Sequence, residues 1–286
     1  GVGYSTETWE WDGVDCQLMT PATSPPKRDW SDMAYDPYTG SMLLFGGRDS
    51  NHKPTGSFEP YNDTWSWNGV TWTQLFPATS PSIRIAHRMA FDKNLNKVVL
   101  TGGTAPGITG LNETWAWDGA NWSLLTPSAS YTKRAFSSMA FDDARNVMVV
   151  HSGKDLVANN LHDDTWEFDG MTWTQVSTSG PTYGWFPIVY DKVNSAILVQ
   201  GGSKDHTHSS SDGKTFSFGG GDWTSLGFDL AGSLGSPVLL GTGELSTGTA
   251  LTFSLTNAAP SSVAYLIFGV VNVSLPFFGG TLVPSP

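Results

Sequence analysis

A unit of about fifty residues recurs along this chain, and this recurrence constrains the fold more than any other feature. Each copy is a cluster of aromatic residues around a short turn. The copies read ETWEWDGVDCQLM, DTWSWNGVTWTQL, ETWAWDGANWSLL, DTWEFDGMTWTQV and KTFSFGGGDWTSL. Their leading aromatics are Trp9, Trp65, Trp115, Trp166 and Phe216. A period of this size is typical of architectures in which one supersecondary unit packs against the next.

A second motif lies between successive aromatic clusters. Its copies read RDWSDMAYDPYTGSMLLFGG, RIAHRMAFDKNLNKVVLTGG, RAFSSMAFDDARNVMVVHSG and YGWFPIVYDKVNSAILVQGG. Each has an Asp after the first apolar run, and three of the four end in a Gly-Gly pair. The third copy has Ser152 in place of the first Gly. The two motifs keep their phase, so together they define one complete repeat.

Each motif predicts a β-hairpin. The second motif has two β-rich runs joined by a short polar turn, and the aromatic motif has two such runs around Asn-Gly or Asp-Gly. These dipeptides tolerate the positive φ angles that tight hairpin turns require. Two hairpins give four strands per repeat, which is the composition of a propeller blade. The predicted fold is therefore an all-β propeller with four-stranded blades.

The tryptophans are expected to hold neighbouring blades together. Eleven of the 13 tryptophans occupy the repeated aromatic slots. Burying one such side chain removes roughly 150–250 Å² from water, so a ring of them gives a series of inter-blade cores. In the first copy Cys16 takes a slot that Trp fills in the other four, and we expect looser packing there.

The Gly-Gly pair, the downstream aromatic pair and the following Trp resemble the kelch repeat of galactose-oxidase-like β-propellers. The resemblance covers about residues 4–226 and implies a kelch-type propeller. Such propellers include enzymes and binding modules. Residues 227–286 resemble the start of a small β-sandwich-like module that follows the propeller in some secreted bacterial proteins. The resemblance thus implies a bacterial protein that is secreted or attached to the cell surface.

The repeats divide the chain into a propeller domain, residues 1–226, and a C-terminal β-rich segment, residues 227–286. Four full blades are predicted at about residues 28–76, 84–126, 134–177 and 183–226, after a half blade at 7–20. Either the C-terminal segment closes a five-bladed ring, or the sequence is a piece of a longer propeller. The second alternative is favoured because residues 227–286 lack the inner-strand motif.

Composition excludes several classes of partner. The net charge is −11, with 15 basic against 26 acidic residues. Binding to a phosphate backbone requires a cluster of Lys and Arg on one face, which this balance argues against, so nucleic acid is excluded as a partner. No uninterrupted apolar run of 18 residues is present, and membrane insertion is not expected. A single cysteine excludes a disulfide scaffold.

No catalytic constellation can be identified in the sequence, and no cofactor is expected. The resemblance to galactose oxidase implies no copper site, because Cys16 occupies a structural slot. His206 and His208 are a metal-site candidate as an H-x-H pair, although we prefer to interpret them as part of a solvated loop. His87 and His151 fall on inner strands, where they line the channel or, as we prefer, serve as hydrogen-bonded structural residues.

Two groups of residues are candidates for binding. The longest loop between second and third strands predicts a contact surface, because variable loops on a rigid scaffold usually carry specificity. Its candidate residues are Arg48, His52, Lys53, Phe58 and Tyr61. A second set starts the innermost strands and forms either structural bonds or a partial ring of cations at the channel mouth. These residues are Arg28, Arg84 and Arg134.

We therefore expect a non-catalytic propeller that binds a protein or a glycan through one loop face. This face contains the loops between second and third strands and those between blades. One alternative is a carbohydrate-active enzyme with its site in the central channel. Another is a structural or adhesive surface protein. The sequence indicates neither the ligand nor the oligomeric state.

Overall fold

The computed structural model confirms an all-β architecture. Among the residues that it describes there is no helix, and thus no helix that could cross a membrane. The described residues are 6–49, 59–105, 110–181, 187–200, 215–227, 238–242 and 252–256.

Twenty-four strands are found in these ranges. In chain order they are β1 (Thr8–Trp11), β2 (Cys16–Met19), β3 (Arg28–Asp29), β4 (Asp32–Asp36), β5 (Ser41–Phe45), β6 (Arg48–Asp49), β7 (Thr64–Trp67), β8 (Trp72–Leu75), β9 (Arg88–Asp92), β10 (Lys97–Thr101), β11 (Thr114–Trp117), β12 (Trp122–Leu125), β13 (Ser138–Asp142), β14 (Val147–His151), β15 (Lys154–Asp155), β16 (Asn160–Leu161), β17 (Thr165–Phe168), β18 (Trp173–Ser177), β19 (Ile188–Asp191), β20 (Ala196–Gln200), β21 (Thr215–Phe218), β22 (Trp223–Gly227), β23 (Val238–Thr242) and β24 (Thr252–Thr256).

Four antiparallel sheets of four strands form the blades, which we number I to IV. Their strand orders are β4-β5-β7-β8, β9-β10-β11-β12, β13-β14-β17-β18 and β19-β20-β21-β22. The first strands of consecutive blades contact one another, β4 with β9, β9 with β13 and β13 with β19. The first strands therefore lie innermost, and the predicted propeller with four full blades is confirmed.

The polar residues of the repeat form the turns. In blade II the side chain of Asp92 accepts hydrogen bonds from the amides of Asn94 and Leu95, at 2.8 and 3.0 Å. The Asp118 side chain caps the outer hairpin in the same way, and Gly119 has a φ of 97°. Asx turns of this kind replace backbone bonds that a strand cannot supply where it reverses.

Apolar clusters fill the spaces between blades. The cluster between blades I and II joins Phe45 of β5 to Val98, Leu100 and Trp122 of blade II. Trp122 and its blade III counterpart Trp173 are each only 1% exposed. The outer-strand tryptophans are thus buried against the preceding blade, as the repeat predicts.

A hydrogen bond joins each outer-strand tryptophan to the preceding repeat. The indole N–H donates to the hydroxyl of the Thr that begins the third strand there. The pairs are Trp72 with Thr8 at 2.7 Å, Trp122 with Thr64 at 3.1 Å, Trp173 with Thr114 at 2.9 Å and Trp223 with Thr165 at 2.8 Å. The same threonine in every copy therefore satisfies a buried donor of the next blade.

Removing one of these hydroxyls is expected to cost about 1–3 kcal/mol of unfolding free energy, because the indole donor stays buried without a partner. Thr64→Val tests this at Trp122, since valine keeps the β-branched shape. Thr73→Val, at an exposed position of β8, is the control, with an expected change within about 0.5 kcal/mol. Urea unfolding followed by tryptophan fluorescence measures both. Equal losses for the two variants would contradict a stabilising role of the Trp–Thr bond.

The Gly-Gly pair is required where blades meet. A Cβ on Gly103 would lie 2.8 Å from the carbonyl oxygen of Ile85 and 3.0 Å from the Cβ of His87. Ser152, which replaces the first Gly in blade III, has a φ of 58°. Its hydroxyl donates to the carbonyl of His162 at 2.9 Å. This bond offsets part of the cost of a left-handed backbone in a residue with a Cβ.

The chain forms two compact units. Residues 1–9 and 18–225 make up the first, and residues 10–17 and 226–286 the second. In the second unit Trp11 and Cys16 are exposed, and the thiol of Cys16 is free. Strands β23 and β24 pair antiparallel, with Val238 opposite Thr256. The remainder of the predicted C-terminal module lies outside the described residues.

Candidate functional site

The four innermost strands line two cavities. One, of about 370 Å³, lies where these strands begin. The other, of about 440 Å³, lies where they end. The first is lined by Asp32, Arg88, Met89, Ser138, Met139, Pro187 and Ile188. The two cavities therefore mark opposite ends of the propeller axis.

Opposite charges meet in the cavity at the beginning of the strands. Asp32 on β4 accepts a hydrogen bond from the amide of Met89 at 2.8 Å. Arg88 on β9 donates through Nε to the carbonyl of Ser137. Burial raises the pKa of Asp32, while the nearby Arg88 acts to lower it. The cavity thus offers a partly desolvated carboxyl group and a guanidinium to a ligand group that enters it.

The loops entering the innermost strands are connected around the axis. Trp30, Ala86 and Phe136 occupy the same repeat position, with φ angles of 56°, 55° and 59°. The amide of Ala86 donates to the carbonyl of Trp30 at 2.9 Å, and that of Phe136 to Ala86 at 3.0 Å. The positive φ is therefore a property of this repeat position in blades I to III and is not specific to Trp30.

Trp30 lies on the surface that these loops form, and two other side chains contact its ring. It is 41% exposed, and the ring of Phe136 meets it edge-on with centroids 5.1 Å apart. The guanidinium of Arg48 lies over it, 4.0 Å from the ring centroid. Arg48 is fixed in turn by Asp29, at 2.7 Å from Nε to Oδ1. We call these four residues the Trp30 platform.

The Trp30 platform contains one of the predicted loop residues, Arg48. Its strand β6 pairs with β3, placing Arg48 opposite Asp29. Tyr61 closes the loop by donating its amide to the carbonyl of Gly47 at 2.8 Å. Burial raises the pKa of Tyr61, and the charge of Asp49 adds to this shift. The other predicted loop residues, His52, Lys53 and Phe58, lie outside the described residues.

The arginines that precede the innermost strands pair with acidic residues of their own blades. Arg28 binds Asp63 through two hydrogen bonds of 2.7 and 2.8 Å. Arg134 binds both carboxylate oxygens of Asp164, and Arg84 binds Glu113 at 2.7 Å. The side chains of Arg84 and Arg134 are completely buried, and that of Arg28 is 6% exposed.

Each of these ion pairs belongs to a larger network. In blade III, Arg134 also donates to the carbonyl of Ser152 at 3.1 Å, and Trp166 donates its indole N–H to Asp164 at 2.8 Å. Burial acts to raise the pKa of Asp164, but the hydrogen bonds from Arg134 and Trp166 outweigh it and lower the pKa. The structure thus gives these arginines a role in joining the strands of each blade.

The partners of these arginines leave a sequence signal. The acidic residue always precedes the Thr-Trp pair, as in Asp63, Glu113 and Asp164. In blade IV, where Tyr183 replaces the arginine, Lys214 replaces the acid. This joint replacement indicates an arginine–acid pair in blades I to III from sequence alone.

The two histidines of the inner region differ in their environments. His151, at the end of β14, lies 3.0 Å through Nε2 from the carbonyl of Pro181 and 2.9 Å through Nδ1 from the hydroxyl of Thr165. A carbonyl only accepts, so Nε2 carries the proton. This confirms a hydrogen-bonded structural role for His151, and burial lowers its pKa to about 4.

His87 departs from the expected hydrogen-bonded role. It is completely buried beside Phe45, with ring centroids 5.6 Å apart. Among the described residues neither imidazole nitrogen has a hydrogen-bond partner. Burial lowers its pKa well below the usual value, and Arg84 and Arg88 act in the same direction. The backbone of Phe45 opposes this shift, but burial dominates and His87 is neutral at pH 7.

No metal centre is formed by the part of the chain that the structure describes. Within these ranges, no three His, Cys, Asp or Glu side chains lie close enough together to hold an ion. The weak candidates His206 and His208 lie outside the described residues. Any role of this pair stays a prediction from the sequence.

Comparison with known proteins gives a family. A family model described as the KLHDC2/KLHL20/DRC7 Kelch-repeats domain matches residues 2–202. No individual curated protein matches the chain. The matched residues include the half blade, blades I to III and the inner strands of blade IV. The chain therefore belongs to the kelch-repeat family.

Proposed function

We propose that this propeller binds a protein partner through its loop face, with the Trp30 platform as the anchor. The loop face is the surface that contains the Trp30 platform and the loops between second and third strands. The observation that carries the proposal is an exposed tryptophan held by an arginine and a second aromatic ring. Trp and Arg are enriched among the residues that contribute most to protein interfaces.

Two further features support this face. Asp32 begins β4 two residues after Trp30, so the 370 Å³ cavity adjoins the Trp30 platform and can receive a partner side chain. The loop from Gly47 to Trp65 is the longest of its kind in the repeats. A long loop on a rigid scaffold is a usual place for binding specificity. The buried arginines 28, 84 and 134 are not part of the proposed contact surface.

Trp30→Ala is expected to weaken partner binding at least about tenfold, since truncating an anchor residue commonly costs 2 kcal/mol or more. The partner is first captured from an extract of the source organism with the immobilised chain, then purified and titrated by calorimetry. Tyr38→Ala is the matched control, because Tyr38 is a 69% exposed aromatic residue in the turn after β4, at the opposite end of the axis from the loop face.

Equal affinities for Trp30→Ala and Tyr38→Ala would contradict the proposal. Loss of binding after enzymatic removal of glycans from the partner would instead assign the recognised group to carbohydrate. Near-ultraviolet circular dichroism of both variants checks that the fold is retained.

A further inference from the structure

We propose that the cavity where the innermost strands end binds small aromatic carboxylates. This site is on the opposite end of the axis from the Trp30 platform, and the inference does not depend on the proposed partner. The cavity has an aromatic wall, and among the described residues one cation at its rim has no carboxylate partner.

The wall of this cavity comes from one repeat position. The residue before the last one of each innermost strand is aromatic, and all four copies line the cavity. They are Tyr35, Phe91, Phe141 and Tyr190. Phe141 is buried, whereas Tyr35 is 54% exposed. The propeller therefore brings four rings that are distant in sequence to one opening, and two of them also carry phenol hydroxyls.

The rim of the cavity comes from a second repeat position, two residues further along. Pro37, Lys93, Asp143 and Lys192 occupy it. The ammonium group of Lys93 pairs with Asp143 at 2.7 Å, so these two charges compensate each other. Among the described residues Lys192 has no carboxylate partner. The rim thus carries one net positive charge in a protein whose formal net charge is −11.

These features define the chemistry of a ligand. A volume of about 440 Å³ falls within the roughly 300–1,000 Å³ of small-molecule sites, which combine apolar walls with a few polar groups. An aromatic body would pack against rings that favour offset-stacked or edge-on contacts. A carboxylate would lie near the ammonium of Lys192. A neutral analogue of the ligand would keep the packing against the aromatic rings but lose the attraction between its carboxylate and Lys192.

The test uses 2-naphthylacetate and its neutral amide, 2-naphthylacetamide, titrated by calorimetry against the full chain. The acid is expected to bind saturably and at least about fivefold more tightly than the amide. Lys192→Gln should weaken the acid about fivefold and leave the amide unchanged. Tyr35→Ala should weaken both ligands, because it removes part of the wall.

Two matched variants control for general effects. Lys27→Gln removes an exposed lysine before β3, and Phe76→Ala removes an exposed aromatic away from the cavity. These two variants should leave the affinity for 2-naphthylacetate unchanged, and Trp30→Ala should also leave it unchanged. Lack of saturable binding, or equal loss of affinity in Lys192→Gln and Lys27→Gln, would overturn the assignment. Lys192 and Tyr35 are both exposed, so these substitutions should leave the fold intact.

Discussion

Arg134→Met is expected to lower the free energy of unfolding by about 3–5 kcal/mol, which is the usual cost of removing one partner from a buried ion pair. The Arg134 side chain is fully buried and binds both oxygens of Asp164, which is itself only 14% exposed. Methionine fills much of the volume of the arginine side chain. Among the described side chains, the Asp164 carboxylate then keeps only the indole N–H of Trp166 as a hydrogen-bond donor. The loss arises mainly from an unpaired charge that stays in a poorly solvated place.

A surface ion pair of the same propeller is the control. Lys93 and Asp143 are joined at 2.7 Å, but the lysine is 54% exposed. Lys93→Met is therefore expected to cost less than about 1 kcal/mol. Urea unfolding followed by circular dichroism measures both variants. A loss below 1 kcal/mol for Arg134→Met would show that the repeated arginines do not stabilise the blades.

Acidification from pH 7 to pH 4 is expected to remove about 3 kcal/mol of stability through His151. Its pKa is about 4 in the folded protein, against 6.5 for the unperturbed group. The unfolded chain therefore takes up the proton first as the pH falls. The stability is fully present above pH 6.5 and is lost between pH 6.5 and about 4. His87 acts in the same direction, because burial also lowers its pKa.

Urea unfolding at pH 7.0, 5.5 and 4.0 measures this dependence, and His151→Gln isolates the contribution of one group. The variant should be less stable at pH 7 and should lose less stability on acidification than the wild type. Asp32 opposes the trend, since its raised pKa in the folded protein favours the fold at low pH. An unchanged pH dependence in His151→Gln would contradict the assigned protonation.

The blade architecture could be predicted from sequence because its determinants recur. Trp122 and Trp173 appear at a constant distance after an Asp-Gly turn, and the structure buries both between blades. The hydrogen bonds to Thr64 and Thr114 were not predicted, although these threonines also recur. They join residues nearly sixty positions apart, and only the packing of consecutive blades brings them together.

The candidate site could be predicted only in part. Arg48 was found because it lies in a long variable loop, but Trp30 was missed. A signal was present, since Trp30 is one of two tryptophans outside the repeated slots. Its platform requires Phe136 from blade III, and a contact across the axis is not encoded in local spacing. The aromatic wall of the second cavity was missed for the same reason.

Site-specific photo-crosslinking tests the central claim, that the loop face binds a protein partner, most directly. Benzoylphenylalanine would replace exposed Lys27, close to the Trp30 platform, or Val193, which is 83% exposed and follows Lys192 at the other end of the axis. Each protein would be irradiated with the captured partner. We expect a discrete adduct from position 27 that disappears when Trp30→Ala is added, and none from position 193. An adduct from position 193 alone, or one from position 27 that persists in Trp30→Ala, would contradict binding through the Trp30 platform.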